Sequence, residues 1–407
     1  MKNENLLHTP EGVRDIYDAE CARKVKLQDR LSKIFSQYGY RRIQTPTFEF
    51  FDIFNGERGT VTSREMYKFF DREGNTLVLR PDMTPSVARA VAKYYKDEKT
   101  PLRFCYAGNV FVNHFSYQGR MKESTQMGGE LIGDDSAAAD AEQIVLAIEL
   151  LKEAGLDQFV VDIGHAGFLR VVMEQAGLDE ESEELLKSLI ENKNYFGIES
   201  LIEEKKISED LKNILMEMPN LSGSYEILEN VKKLTGNQKA LAIIDRLKQI
   251  YECVSAYGLG QYITFDLGMP TGYDYYTGVI FRGYTYGTGD AIVKGGRYDN
   301  LIGQFGKDAP SVGFVVVIDQ LMAALDRQKV RIDLNEPSIL LLYQAQDYQK
   351  AITEATKLRK ENMSVTLMER DPLLSEDDYR NFCHRFFIST LMEIQEGEIC
   401  RQEVDVK

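Results

Sequence analysis

The order of apolar and polar positions divides the chain into a strand-rich frame, an acidic helical stretch and a short alternating tail. Residues 18 to 38 place Val25, Leu27, Leu31, Ile34 and Phe35 near helical spacing, and the pattern stops at Gly39. RRIQTPTFEF then predicts a strand, with Pro46 at an edge or a bend. MYKFFDREGNTLVLRP predicts a hairpin about Glu73–Gly74–Asn75. Its second strand leads into PDMTPSVARAVAKYY, where Thr84 can cap a helix whose first residue is Pro85. LRFCYAGNVF and ESTQMGGELIG predict partnered strands joined by a polar loop, and Ser136 to Leu151 an Ala- and Leu-rich helix closed by Gly155.

From about Leu178 to Tyr257 the pattern changes to acidic amphipathic helices with almost no strand signal, which predicts a helical insertion at 178–257. Strands resume at QYITFDLGM and continue through a Gly- and Tyr-rich region to SVGFVVVIDQLMAAL, a buried strand running into a helix. After the polar link RQKVRIDLNEP, residues 336–407 predict a small α/β domain: SILLLY, DYQKAITEATKLRKEN, SVTLMER, EDDYRNFCHRFF and ISTLMEI. Helices and hairpins around mixed strands, without regular βαβα alternation, point to an α+β core over 1–330 with an antiparallel sheet. Both G-x-x-x-x-G-K-[ST] and G-x-G-x-x-G after a strand are absent, so the two commonest nucleotide folds have no support.

Composition narrows the partners. The 407 residues carry a net charge of −15, which removes the global attraction a polyanion needs, so nucleic acid is not favoured. Five scattered cysteines, with no C-x-x-C pair, predict free buried or half-buried thiols in a reducing cytosol. MKNENLLHTPEGVRD lacks an apolar run, so a cytoplasmic protein without a secretory leader is expected. The most apolar window is too short to cross a bilayer, and the four histidines lack metal-ligand spacing. No metal and no cofactor is expected.

Three stretches gather polar and aromatic residues. Arg80, Asp82 and Thr84 sit at a strand-to-helix turn, where the plainer alternative is a cap with an Arg–Asp pair. Gln126, Gly128 and Glu130 alternate, giving one strand face an amide, a gap and a carboxylate with room for a ligand; a solvent-facing strand edge is the alternative. TGYDYYTG and GGRYDN set Tyr275, Tyr276, Arg297 and Tyr298 beside glycines, as walls for a small cationic or heteroaromatic ligand or as aromatic core.

Taken in order from Pro10 to Leu325, several segments resemble the catalytic core of class II aminoacyl-tRNA synthetases, and specifically the histidyl-tRNA synthetase group. They are PEGVRD, YGYRRIQTP, EMYKFFDREGNTLVLRPDMTPSVARA, GRMKESTQMGGELIG, YDYYTGVIF and GGRYDNLIGQFGKDAPSVGF. The resemblance implies a six- or seven-stranded antiparallel sheet flanked by helices, and a dimer built around the unit ending at Pro46. It also implies a tail like a shortened anticodon-binding domain. Histidine recognition is carried onto Asp82, Thr84, Gln126, Glu130, Tyr275, Tyr276 and Tyr298, with Glu130 accepting an imidazole N–H.

The family's ATP-site arginines fall on Val112, Thr271 and Gln320, and its motif glutamate on His114. Losing one preorganised charge-stabilising donor costs about 2.7–4 kcal/mol in a transition state. Three losses imply on the order of 10⁴-fold or worse, so the resemblance implies no adenylate chemistry. Asp82 is one methylene shorter than the family's glutamate, and Thr271 cannot pair a ligand carboxylate, which implies modest histidine affinity.

An emptied synthetase frame with an acidic surface resembles the regulatory-subunit family of ATP phosphoribosyltransferase. That implies a non-catalytic chain that activates the short catalytic subunit in the first step of histidine biosynthesis and helps confer histidine feedback inhibition. It also implies a hetero-octamer containing dimers of this chain, and no tRNA or membrane partner. The alternative is a divergent active histidyl-tRNA synthetase or amino-acid ligase that recruits Arg103, Arg120 or Arg282 as replacement cations.

Overall fold

The apolar periodicity that opens the chain becomes α1 (Asp18–Gln37), and Gly39 follows it at φ +77°, a left-handed conformation that glycine adopts without a Cβ penalty. The computed structural model describes residues 7–58, 61–114, 121–269, 275–334 and 338–405. By contacts these form two units: Arg30–Val330 with the stretch ending at Val13, and Arg14–Asp29 with Arg331–Lys407.

RRIQTPTFEF is not one strand. β1 (Arg41–Arg42) and β2 (Phe48–Phe50) lie on either side of Pro46 and enter different sheets. Proline has no N–H to give a ladder, and the carbonyls of Thr45 and Pro46 accept from the Arg80 guanidinium at 2.9 and 3.2 Å. β3 (Lys68–Phe70) and β4 (Thr76–Leu79) form the predicted hairpin, in which Asp71 accepts from the Asn75 backbone and side chain. With β2 they make a three-stranded sheet, ordered β2-β4-β3.

α2 (Thr84–Tyr94) leads to the long hairpin β5 (Leu102–Phe111) and β6 (Glu123–Ile132). α3 (Ala137–Ala154) begins on Ser136, whose hydroxyl accepts from the Ala139 N–H, and ends on left-handed Gly155. Nearly every face of α3 is buried, because β12 (Ser311–Val317) lies on one side and α9 (Gln238–Ala256) on the other. Between them in sequence come β7 (Phe159–His165), α4 (Ala166–Ala176) and then the acidic helices. These are α5 (Glu180–Glu191), α6 (Tyr195–Glu204), α7 (Glu209–Glu217) and α8 (Glu226–Leu234), interrupted by the two-residue β8 (Ser222–Gly223). β9 (Ile263–Asp266), β10 (Val279–Thr285) and β11 (Val293–Arg297) precede β12, which runs directly into α10 (Ile318–Arg327).

The main sheet has nine strands in the order β1-β5-β6-β12-β11-β10-β7-β9-β8. The six central strands, β5 to β7, are antiparallel throughout. Parallel pairing of β1 with β5 and of β7 with β9 extends the sheet beyond the expected six or seven strands. These additions are short, as edge strands generally are.

The second unit contains β13 (Ser338–Tyr343), α11 (Tyr348–Lys360), β14 (Ser364–Glu369), α12 (Glu376–Arg385) and β15 (Thr390–Gln395). β13, β14 and β15 are parallel, and side chains on the two faces of β13 feed separate apolar clusters against α11 and α12. The pattern of the tail missed β16 (Glu398–Glu403), which closes this sheet antiparallel to β15. Every residue of β16 is exposed, so no alternation marks it.

The thiols are unpaired; Cys105 and Cys383 are buried, but Cys400 is exposed, contrary to the expectation of buried or half-buried sites. Among the described residues no helix is long and apolar enough to cross a membrane, and no three metal-ligating side chains converge.

One buried ion network braces the larger unit. Asp140 on α3 accepts from Arg297 Nε at 2.8 Å and from Arg246 Nη2, on α9, at 2.7 Å; the two arginines also reach the carbonyls of Asp134 and Asp135. Replacing Asp140 with alanine leaves the buried Arg297 guanidinium without its main counter-charge. Such a loss costs about 3–5 kcal/mol, so Asp140→Ala is expected to shift the urea unfolding midpoint strongly downward, and Asp140→Asn to shift it less.

Candidate functional site

Strand register determines which residues share the working face of the sheet. Tyr106, Gly128, Val315, Lys294 and Arg282 stand opposite one another across β5, β6, β12, β11 and β10. Phe104, Glu130, Gly313, Gly296 and Ile280 form the adjacent row.

Glu130 lies at the centre of this face and is completely buried. Its Oε1 accepts from the Thr84 hydroxyl at 2.9 Å and the Tyr106 hydroxyl at 3.0 Å; its Oε2 accepts from the Tyr298 hydroxyl at 2.5 Å. The carboxylate fits because Gly313 lies beneath it, where a Cβ would fall 1.6 Å from Oε2. Burial raises its pKa to about 7 despite the three hydroxyls, and the nearby Asp82 charge adds to the rise.

Asp82 is the second buried carboxylate. Its Oδ1 accepts from the backbone N–H of Met83 at 2.6 Å and of Thr84 at 3.5 Å, and its Oδ2 from the Tyr275 hydroxyl at 3.3 Å. Burial pushes its pKa up as well, against the pull of those donors. Thr84 is therefore not a helix cap: it is the first residue of α2, and its hydroxyl serves Glu130, while Asp82 receives the N–H groups at the helix start. Nor do Arg80 and Asp82 pair. Arg80 is held by the carbonyls of Asn109, Thr45 and Pro46.

Above this base is a narrow cleft that opens to solvent. Its polar lining comes from Asp82, Thr84, Tyr275, Tyr276, Lys294 and Tyr298. Tyr275 meets both Tyr276 and Tyr298 edge-on, with ring centroids 4.9 and 5.8 Å apart. Five of the seven expected recognition residues thus line one cavity. Glu130 lies behind them and does not itself line the cavity; its oxygens accept from the Thr84, Tyr106 and Tyr298 hydroxyls. Gln126 is on the same strand face; its carboxamide oxygen is buried without a hydrogen-bond partner. The gap over Gly128 is not ligand space. The Tyr106 hydroxyl fills it, 2.6 Å from where a Cβ would be.

The sequence reading overlooked Tyr106 and Lys294. A glycine inside a strand marks where something crosses close to the backbone, but only the register with β5 shows that the crossing group is Tyr106. Arg297, grouped with the tyrosines in sequence, points to the opposite face and belongs to the Asp140 network.

Of the positions matched to the ATP site, Val112 gives its N–H to the Lys122 carbonyl, His114 gives its N–H to the Val112 carbonyl, and Gln320 is half-buried in the first turn of α10. Thr271 and Arg120 lie outside the described residues. Arg103 is on the far face of β5, held by Glu142 through two 2.8 Å bonds. Arg282 shares the working face, opposite Lys294.

The fold is of the class II aminoacyl-tRNA synthetase-like kind. Residues 12–321 match the histidyl-tRNA synthetase family model. A histidyl-tRNA synthetase from Nostoc sp. PCC 7120 shares the fold at TM-score 0.79 and 18% identity, covering 98% of this chain and 97% of that one. The ATP phosphoribosyltransferase regulatory subunit of Acetivibrio thermocellus is 42% identical over 88% of this chain and 86% of its own length. That of Clostridium kluyveri is 38% identical over 93% and 96%. A crystal structure from Bacillus halodurans, described as an ATP phosphoribosyltransferase regulatory subunit/histidyl-tRNA synthetase, is 33% identical, with TM-score 0.82 and coverage of 93% and 96%. The chain belongs to the ATP phosphoribosyltransferase regulatory-subunit family.

Two predictions test the buried carboxylate. Gly313→Ala must displace it, and overpacking of this kind costs about 1–3 kcal/mol, read as a lower unfolding midpoint. Because the folded-state pKa of Glu130 is raised from 4.5 to about 7, the folded protein holds this proton more tightly. Its contribution is therefore present below pH 4.5 and lost as pH rises toward 7. The stability difference between Glu130→Gln and wild type should shift across that window in favour of the variant.

Proposed function

We propose that this chain is a regulatory subunit that forms no adenylate, activates the short catalytic subunit of ATP phosphoribosyltransferase in the first step of histidine biosynthesis, and helps confer inhibition by histidine. The observation that carries this reading is a cleft lined by Asp82 and three tyrosines in a chain whose Val112, His114 and Gln320 supply no fixed cation at the positions matched to the ATP site. Arg103 cannot substitute, since it is turned away and engaged by Glu142. The names carried by the relatives support the same role.

In this reading histidine occupies the cleft with its ammonium toward Asp82 and its ring against Tyr275, Tyr276 and Tyr298. The orphaned Gln126 oxygen is a further acceptor for an N–H. Residues 1–330, with the insertion at 178–257, form the regulatory core, and 336–407 is the remnant of an anticodon-binding domain. The chain dimerises about the unit ending at Pro46 and joins the catalytic subunit in a cytoplasmic hetero-octamer. An acidic surface suits a protein partner better than tRNA.

Regulation of this kind is a coupling free energy, typically 5–150-fold in affinity, and it is reciprocal. Adding the purified chain to the short catalytic subunit should raise phosphoribosyl transfer severalfold and give a larger species by size-exclusion chromatography. Histidine affinity measured by calorimetry should change when the catalytic subunit is present. Histidine-dependent pyrophosphate exchange with ATP by the isolated chain would instead establish the synthetase or ligase alternative.

A further inference from the structure

Among the described residues, the cleft is lined by one basic side chain, which the family resemblance does not assign. Lys294 lines the cavity from β11, on the same strand face as Gly296 and Tyr298. Gly296 lies between the two, and a Cβ there would fall 2.7 Å from the Tyr276 ring. Tyr276 therefore lies over Gly296, and Lys294 and Tyr298 flank it along the strand. Across the sheet, β12 separates Lys294 from the β6 row that carries Glu130, a span of roughly 10 Å at ordinary strand spacing.

We infer that Lys294 is the residue that pairs the carboxylate of a bound amino acid, so that the cleft selects a free zwitterion. This rests on the reading that the cleft holds an amino acid. The lining has an anionic part at Asp82 and a cationic part at Lys294, with tyrosines between: the pattern required by a ligand carrying both an ammonium and a carboxylate.

The charge of Lys294 is available for the purpose. Its partner is Asp290, four residues away at 3.2 Å, in a pair whose side chains are 31% and 50% exposed. Exposed pairs of that kind contribute little and are readily exchanged. Of the neighbouring guanidinium groups, Arg80 is held by three carbonyls, Arg297 by Asp140, Asp299 and the Asp134 carbonyl on the other face, and Arg282, opposite Lys294, does not line the cavity. A phosphate would satisfy Lys294 too, but a multiply charged group in so small a cavity faces the buried Asp82 carboxylate, whereas an α-amino acid brings its own ammonium to meet it.

The test is calorimetry on the full chain, alone and with the short catalytic subunit, using histidine, histamine (which lacks the carboxylate) and inorganic phosphate. Wild type is expected to prefer histidine to histamine. Lys294→Met should weaken histidine about 10- to 100-fold, in the range of one charged hydrogen-bonded contact, with histamine unchanged and the thermal midpoint near wild type. Lys294→Arg should recover most of the loss. Histidine binding retained in Lys294→Met, equal losses of histidine and histamine, or tighter binding of phosphate than histidine would each overturn the assignment of Lys294 while leaving the cleft as a ligand site. Failure of wild type to bind histidine in either state would overturn the amino-acid reading of the cleft itself, and this assignment with it.

Discussion

A carboxylate with no exposure to water must be hydrogen-bonded or it is destabilising by several kcal/mol, and Glu130 imposes that requirement on the whole working face. Its three hydroxyl donors lie 46, 24 and 168 residues away in sequence, on α2, on β5 and just after β11. Satisfying it fixes the start of α2 against the sheet, sets the β5–β6 register and anchors the end of β11. It also dictates glycine at position 313, because no Cβ fits beside the carboxylate. The cleft is the outer surface of this arrangement: Thr84 and Tyr298 present one side to Glu130 and the other to the cavity.

The guanidinium groups near the cleft mostly serve as braces. Arg80 ties the Thr45–Pro46 turn to β5, Arg103 ties β5 to α3, and Arg297 and Arg246 bind Asp140 between β11 and α9. Arg297 and Tyr298 are adjacent in sequence and face opposite ways. One end of β11 therefore joins the ion network that holds α9 to the hydroxyl network beneath the cleft. Contacts thus run from Tyr298 through the Arg297 backbone and Asp140 to Arg246 on α9.

In the proposed reading the frame keeps structural cations in place of reactive ones. A synthetase-like site needs mobile positive charge near a polyphosphate. Among the described residues, this site has two buried carboxylates, a screen of tyrosines and one partly exposed lysine. Under the proposed reading, such a site holds a small zwitterion.

Periodicity alone determined the helices α1, α3 and α10, the hairpin of β3 and β4, the acidic helical stretch and the alternating tail, because each is encoded by spacing within some twenty residues of sequence. Motif order also gave five of the cleft-lining side chains. The sequence could not show that Thr84 serves Glu130 and does not cap a helix, that Tyr106 fills the space over Gly128, that RRIQTPTFEF splits between two sheets, or that Lys294 and not Arg297 faces the cleft. These depend on strand register and on which residues lie opposite one another across the sheet. A one-residue change of register moves every side chain to the other face while leaving the local pattern unchanged.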